Sequence, residues 1–210
     1  MIKAIIFDLD GVIVSTDDLH YKSWKHMADR EHIFFNEKIN DRLRGVSRMA
    51  SLEIILEQST KTYSDEEKIE LAAYKNDYYK ELLNSLTKDH ILPGVMDVLK
   101  TLKEKQFKVA IGSSSRNAKF ILKQIGLFDY FDAISDGTNI KHSKPAPDVF
   151  LIAAEKLNIE PTFCLVVEDA ISGIEAASRA QMSSFGVGDA KTSKLATYTS
   201  SDIRDLLKYI

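Results

Sequence analysis

Ile2 to Phe7 is apolar at every position except Lys3. So short and isoleucine-rich a run predicts a strand buried on both faces of a parallel sheet. Similar short runs recur at Lys108–Ile111, Phe163–Val167 and Ser183–Val187. Between them, apolar residues spaced three and four apart predict helices over Val95–Lys105, Ala118–Ile125, Pro147–Leu157 and Ile171–Ala180. Strands alternating with helices predict an α/β fold with a Rossmann-like, doubly wound parallel sheet.

Residues 15 to 90 break that rhythm with helical periodicity alone. Ser64-Asp65-Glu66-Glu67 is a capping box, in which Ser64 accepts from the Glu67 N–H and Glu67 reaches back. The helix that follows places Ile69, Ala72, Asn76, Tyr79 and Leu83 on one face. Leu92-Pro93-Gly94 punctuates the return to the α/β pattern. The expected organisation is an α/β core from residues 1–14 and 91–210, with a helical domain, residues 15–90, inserted after the first strand. The crossings near Val14–Thr16 and Asp89–Pro93 are natural hinges.

Composition narrows the class without changing this picture. In 210 residues, 28 Lys+Arg stand against 31 Asp+Glu, a formal charge of −3. That balance gives no electrostatic case for nucleic acid or a membrane as partner. The one cysteine, Cys164, cannot close an intramolecular disulfide and sits in an apolar run, where it reads as buried and inert. No run approaches the roughly 18 apolar residues of a membrane span. Met1 to Asp8 is too short and too soon acidic for a signal peptide, so a cytoplasmic protein is expected. His26, His32, His90 and His142 show no metal-ligand spacing, and no dinucleotide or P-loop pattern is present.

In a parallel α/β sheet, ligands gather at the carboxyl ends of the strands. There the sequence offers Asp8-Leu9-Asp10-Gly11, Gly112-Ser113-Ser114-Ser115-Arg116-Asn117 and Glu168-Asp169, with Lys144-Pro145 before a helix. Asp8 and Asp10 start on opposite sides of a strand end, so the chain must bend for both to serve one site, and Gly11 permits the bend. Converging carboxylates repel unless a cation sits among them, and hard oxygen ligands beside a phosphate suit Mg²⁺. Serine hydroxyls and N–H groups opening a helix suit a phosphate, and Lys144 adds a point charge. Together they make a site that neutralises a phosphoryl group and offers a carboxylate to attack it. Each piece has a plainer use: a turn, a capped loop, a solvated lysine, a helix start. Their joint placement at strand ends favours chemistry.

Phe7-Asp8-Leu9-Asp10-Gly11-Val12, Ser113, Lys144-Pro145 and Glu168-Asp169 resemble, in order and spacing, the four signature motifs of the haloacid dehalogenase superfamily of phosphotransferases. The helical insert resembles that superfamily's C1-type cap. Within it the chain is most similar to the β-phosphoglucomutases, through His20–Trp24, Arg44–Arg48, Lys75-Asn76, Ser115–Asn117, Lys144–Phe150 and Gly186–Gly188. The resemblance implies Asp8 as nucleophile, forming an aspartyl phosphate, and Asp10 as general acid/base. It implies one Mg²⁺ held by Asp8, the Asp10 backbone carbonyl and Asp169, with Glu168 in the outer shell. Ser113, the Ser114 N–H and Lys144 would bind the transferring phosphoryl. Arg48, Ser115, Arg116 and Asn117 would hold a second phosphate, while His20 and Lys75 align Asp10. The chain departs from the pattern at Val14-Ser15, where threonine and aspartate are usual, at Arg116, where lysine is usual, and at Gln181, where glycine is common.

A hydrolase needs one phosphate site and access for water. A mutase passing through a bisphosphate needs two phosphate sites and must starve the aspartyl phosphate of water. Arg48 is the residue that discriminates, since its planar fork suits a phosphate. The resemblance therefore implies interconversion of β-glucose 1-phosphate and glucose 6-phosphate through β-glucose 1,6-bisphosphate by a monomer. A sugar-phosphate phosphatase is the alternative, and a non-catalytic sensor is disfavoured by the intact acidic set.

Overall fold

In the computed structural model, the described residues are 1–43 and 46–210. Arg44 and Gly45, part of the Arg44–Arg48 segment above, lie outside them. Among the described residues no helix is long and apolar enough to cross a membrane. The chain divides into two units, Met1–Ser15 with Thr87–Ile210, and Thr16–Leu86.

The first unit is built on a six-stranded, all-parallel sheet in the order β3-β2-β1-β4-β5-β6. Its strands are β1 (Ala4–Phe7), β2 (Lys108–Gly112), β3 (Ala133–Ser135), β4 (Cys164–Glu168), β5 (Ser183–Gly186) and β6 (Tyr198–Thr199). All four residues of β1 are buried, as expected for a central strand covered on both faces. One face packs Ile6, Ala110 and Val166 against α7 (Asp148–Leu157) and α8 (Ile171–Arg179) through Phe150, Ala153, Ala176 and Ala177. The alternate residues Ile5, Phe7, Val109, Ile111, Leu165 and Val167 point the other way and are equally buried. Helices α5 (Val95–Glu104) and α6 (Ala118–Gln124) complete the unit. Val14 and Ile91, where the chain leaves and returns, form an antiparallel bridge, and the Leu92 N–H donates to the Ile13 carbonyl at 2.9 Å.

The second unit holds α1 (Asp17–Arg30), α2 (Glu37–Asp41), α3 (Arg48–Leu56) and α4 (Asp65–Leu83). Its own core joins Trp24, Met27, Phe35, Leu52, Ile55 and Leu71. The capping box forms as expected, with the Ser64 side chain accepting from the Glu67 N–H at 3.2 Å and Glu67 accepting from the Ser64 N–H at 2.8 Å. The face of α4 that the spacing marks is covered in part. Ala72, Asn76, Tyr79 and Leu83 are buried, but Ile69 is 62% exposed, and Leu71 and Lys75 take the inner positions. Ile69 lies at the rim of that face: Leu71 and Ala72 in the same turn are buried, so the core covers the helix on the side of Leu71, Ala72 and Lys75.

The helices expected in the α/β unit each end one residue early at a cap, or begin one late. The strands β3 and β6 were not anticipated, because three and two residues are too few to show a period. Cys164 is fully buried, and burial pushes its thiol up to about 11.

Gln181 has φ 59, in the left-handed region that favours glycine. Its N–H donates to Ser178 at 3.0 Å and that of Met182 to Ala177 at 3.0 Å, so it occupies the C′ position of a Schellman motif closing α8. The side chain is exposed and makes the turn more costly than glycine would. Gln181→Gly should therefore stabilise the chain by about 0.5–1 kcal/mol, read as a higher urea midpoint at unchanged slope.

Candidate active site

The register of the sheet sets Phe7 beside Val167 and Ile111. One residue further on, Asp8, Glu168 and Gly112-Ser113 therefore emerge side by side at the carboxyl edge. Asp8, Glu168 and Asp169 each present a carboxylate oxygen within 4.8 Å of the others. Asp8 is 7% and Glu168 1% exposed. Three hard oxygen donors gathered in so small a space fit a divalent cation.

Lys144 is what lets these charges be buried together. It donates to Asp8 and, at 2.7 Å, to Oε2 of Glu168. Its ammonium lies 4.7 Å from the centre of the Phe150 ring. Burial alone would depress its pKa, but the charges of Asp8 and Glu168 outweigh that and raise it. Burial raises Asp8 to about 7; Lys144 pulls it down, while Glu168 and Asp10 push it up. Burial raises Asp169 to about 9, helped by the charges of Glu168, Asp8 and Asp10.

Glu168 also serves the plainer role of starting a helix. Its Oε1 accepts the N–H groups of Asp169 at 3.2 Å and Ala170 at 3.1 Å, just ahead of α8. With Oε1 shared by two donors and Oε2 taken by Lys144, Glu168 is suited to orient the site rather than to bind an ion directly. Two glycines make room for the acidic groups. Gly11, at φ 79, lies so close to the Asp169 carboxylate that a Cβ there would collide with it, and Gly173 stands in the same relation to Glu168.

The loop after β2 is pre-formed. Ser113 Oγ accepts the Ser115 N–H at 3.2 Å, and Ser115 Oγ accepts the Asn117 N–H at 3.2 Å. The Gly137 N–H donates to the Ser115 carbonyl at 3.1 Å. Ser113 and Asn117 are buried, Ser114 and Ser115 half-buried, and Arg116 exposed. The loop leads into α6, so N–H groups and hydroxyls gather beside Lys144, whose N–H reaches Ser114 Oγ at 3.5 Å. Asp10 is half-buried, and its carboxylate belongs to the same field of charge.

The remaining expected residues, His20, Arg48 and Lys75, lie in the helical unit and are brought together there. Lys75 Nζ is 2.9 Å from His20 Nδ1. Burial, with the charges of Lys75 and Arg48, holds the His20 imidazole well below its usual pKa. Arg48 donates to Asn76 Oδ1 at 2.7 Å. Asn76, Phe150 and Gly173 escaped the sequence reading as contributors. Asn76 adjoins Lys75, and Gly173 ends the Glu168–Gly173 run, but only contacts reveal their use.

A family model described as haloacid dehalogenase-like hydrolase matches residues 2–181. The chain is 45% identical over 189 residues to a β-phosphoglucomutase of Bacillus subtilis, covering 89% of this chain and 83% of that one. It is 32% identical over 183 residues to a phosphorylated carbohydrates phosphatase of Thermotoga maritima, covering 85% and 81% respectively. A crystal structure of β-phosphoglucomutase from Clostridium difficile superposes with a TM-score of 0.92 at 41% identity, over 100% of this chain and 95% of that one. With its acidic cluster, its lysine and its parallel sheet in the arrangement described, the chain belongs to the haloacid dehalogenase-like hydrolase family.

Proposed function

We propose that the protein is a β-phosphoglucomutase, interconverting β-D-glucose 1-phosphate and glucose 6-phosphate through β-glucose 1,6-bisphosphate. The observation that carries phosphoryl transfer is the buried Asp8–Lys144–Glu168 arrangement beside Asp169, which offers a carboxylate nucleophile beside a buried ammonium. The likeness to the B. subtilis β-phosphoglucomutase, at 45% identity, supports the choice of reaction.

In the proposed mechanism the Asp8 carboxylate attacks phosphorus of the bisphosphate. A P–O bond forms to Asp8, the P–O bond to the sugar breaks, and Asp10 gives its proton to the departing sugar oxygen. An aspartyl phosphate results. When the phosphoryl lost is the one at C1, glucose 6-phosphate is released; an incoming β-glucose 1-phosphate then takes the phosphoryl from Asp8 on its C6 hydroxyl, Asp10 removes that proton, the P–O bond to Asp8 breaks and the bisphosphate is regenerated. Lys144 and the Ser113 hydroxyl, with the Ser114 N–H, balance the charge of the transferring group. Asp8, the Asp10 carbonyl and Asp169 would hold one Mg²⁺, oriented by Glu168, and the ion would supply Lewis-acid charge neutralisation. Arg48, with Ser115, Arg116 and Asn117, is assigned to the second phosphate, and His20 and Lys75 to aligning Asp10. The substrate is thus a small sugar phosphate, and a monomer suffices.

A second reading has its own support: the T. maritima relative is named a phosphatase of phosphorylated carbohydrates. A coupled assay with glucose 6-phosphate dehydrogenase, run with β-glucose 1-phosphate and catalytic bisphosphate, separates them. NADPH formation is expected; release of inorganic phosphate alone would establish the phosphatase.

Asp8→Asn should lower phosphoryl transfer by on the order of a hundred-thousandfold while circular dichroism stays that of the parent, because the shape is kept and the nucleophile lost. Turnover close to the parent's would reject Asp8 as nucleophile. Arg48→Ala should lower kcat/KM for the mutase about 10–100-fold, the worth of a charge-assisted bond to phosphate, and leave hydrolysis of an aryl phosphate within about threefold. Equal losses in both assays would remove Arg48 from the second phosphate site.

The carboxylate cluster also sets a pH dependence of stability. Asp8 and Asp169 lie above the ordinary carboxylate pKa, at about 7 and about 9, so the folded chain holds protons that the unfolded chain releases. Their contribution to stability is full at acid pH and is lost as pH rises through those values. In chelator, Tm should therefore fall between about pH 6 and about pH 9. Millimolar Mg²⁺ should raise it, and raise it more at the alkaline end, because bound carboxylates must be deprotonated. A Mg²⁺ effect that is absent, or larger at pH 6, would contradict the metal assignment.

A further inference from the structure

The helical unit buries a cation of its own. Lys75 is 2% exposed on α4, and its ammonium lies 4.4 Å from the centre of the Tyr79 ring and 4.9 Å from that of Trp24. His20 and Trp24 are one turn apart on α1, as Lys75 and Tyr79 are on α4, so the two pairs interlock. An ammonium can only donate, so His20 Nδ1, at 2.9 Å, accepts, and the ring proton resides on Nε2. The His20 and Tyr79 rings stack at 4.2 Å with 30° between their planes. Packing alone explains a large aromatic ring at position 79. It does not explain the hydroxyl, which is buried and lies 2.9 Å from Thr16 Oγ1.

Thr16 makes that contact informative. It stands at the N-cap of α1, where a threonine ordinarily accepts a helix N–H, yet no such cap bond is made. Its hydroxyl is committed instead to a residue 63 positions away on α4. Thr16 is fully buried and is the first residue of the helical unit, where the chain arrives from Ser15. Tyr79 thus meets three groups with three parts of one side chain: a ring face for His20, the π cloud for Lys75 and the hydroxyl for Thr16.

We propose that Tyr79 is a positioning residue, which fixes the His20 imidazole and the Lys75 ammonium as one preassembled donor pair and ties them to Thr16 at the start of the helical unit. The assignment deepens the mutase reading and rests on it, because there His20 and Lys75 align the acid/base Asp10. Tyr79 acts through the imidazole and the ammonium that it holds.

Tyr79→Phe, Thr16→Val and their double variant test the hydroxyl pair. Each single change should lower mutase kcat about 5- to 15-fold with KM within about twofold. The double variant should be no worse than the worse single, because one bond is lost in all three. Additive losses, an unchanged kcat or a change confined to KM would overturn the proposal. Imidazole nitrogen NMR gives a readout that needs no turnover. His20 in the parent should show the single neutral form protonated on Nε2, and Tyr79→Leu, which removes the ring, should blur it towards a mixture of tautomers. Identical His20 spectra in parent and Tyr79→Leu would overturn the positioning role; should the leucine variant not fold, the phenylalanine series decides. A parent without mutase activity but with the expected His20 signature would sink the proposed function and leave Tyr79's hold on His20 standing.

Discussion

The α/β unit depends on a lysine sharing its charge between two buried carboxylates. Burying an unpaired carboxylate costs several kcal/mol, and Asp8, Glu168 and Asp169 are forced together by neighbouring strands. Lys144 relieves the first two directly, over the face of Phe150. That leaves Asp169 as the carboxylate whose pKa is pushed furthest up, an excess of negative field that a divalent cation would discharge. The same imbalance raises the pKa of Asp8 and Asp169 and fits the cluster to a dication.

The placement of that lysine is a consequence of topology. β1 and β4 are adjacent although some 150 residues separate them, because the chain crosses between them three times to build β2 and β3. Parallel register then puts Asp8 and Glu168 at the same height. A slip of one residue would turn one of the two to the opposite face. The unbroken burial of β1 and β4 on both sides, every residue from Ala4 to Phe7 and from Cys164 to Val167, guards against that slip.

Much of this was legible in the sequence, for reasons that differ by residue. Asp8, Ser113 and Glu168 could be found because each directly follows a run whose apolarity marks a central strand. Gly11 was legible because two carboxylates two residues apart on a strand end demand a bend, and its φ of 79 supplies it. β3 and β6 were too short to carry a period, and their existence follows from pairing with longer neighbours. Lys75 is reached only through the resemblance, since a lysine in a helix reads as solvated until two rings and an imidazole are seen around it. The exposure of Ile69 has the same origin: spacing fixes which residues share a face, but tertiary packing decides which side of that face is covered.

The two units hold their buried lysines by different physics, and the difference suits their tasks. Lys144 faces the carboxylates of Asp8 and Glu168, whose charges raise its pKa and keep it an ammonium. Lys75 faces π clouds and a neutral imidazole, which stabilise an ammonium while leaving its donors able to exchange partners. Phosphatase and mutase readings share everything around Asp8 and Lys144, since forming an aspartyl phosphate is common to both. They part on what reaches the aspartyl phosphate next, water or the free hydroxyl of a sugar monophosphate. That choice falls to residues that recognise the far end of the substrate; the mutase reading proposed above assigns it to Arg48, which donates to Asn76 on the helix that also carries Lys75 and Tyr79.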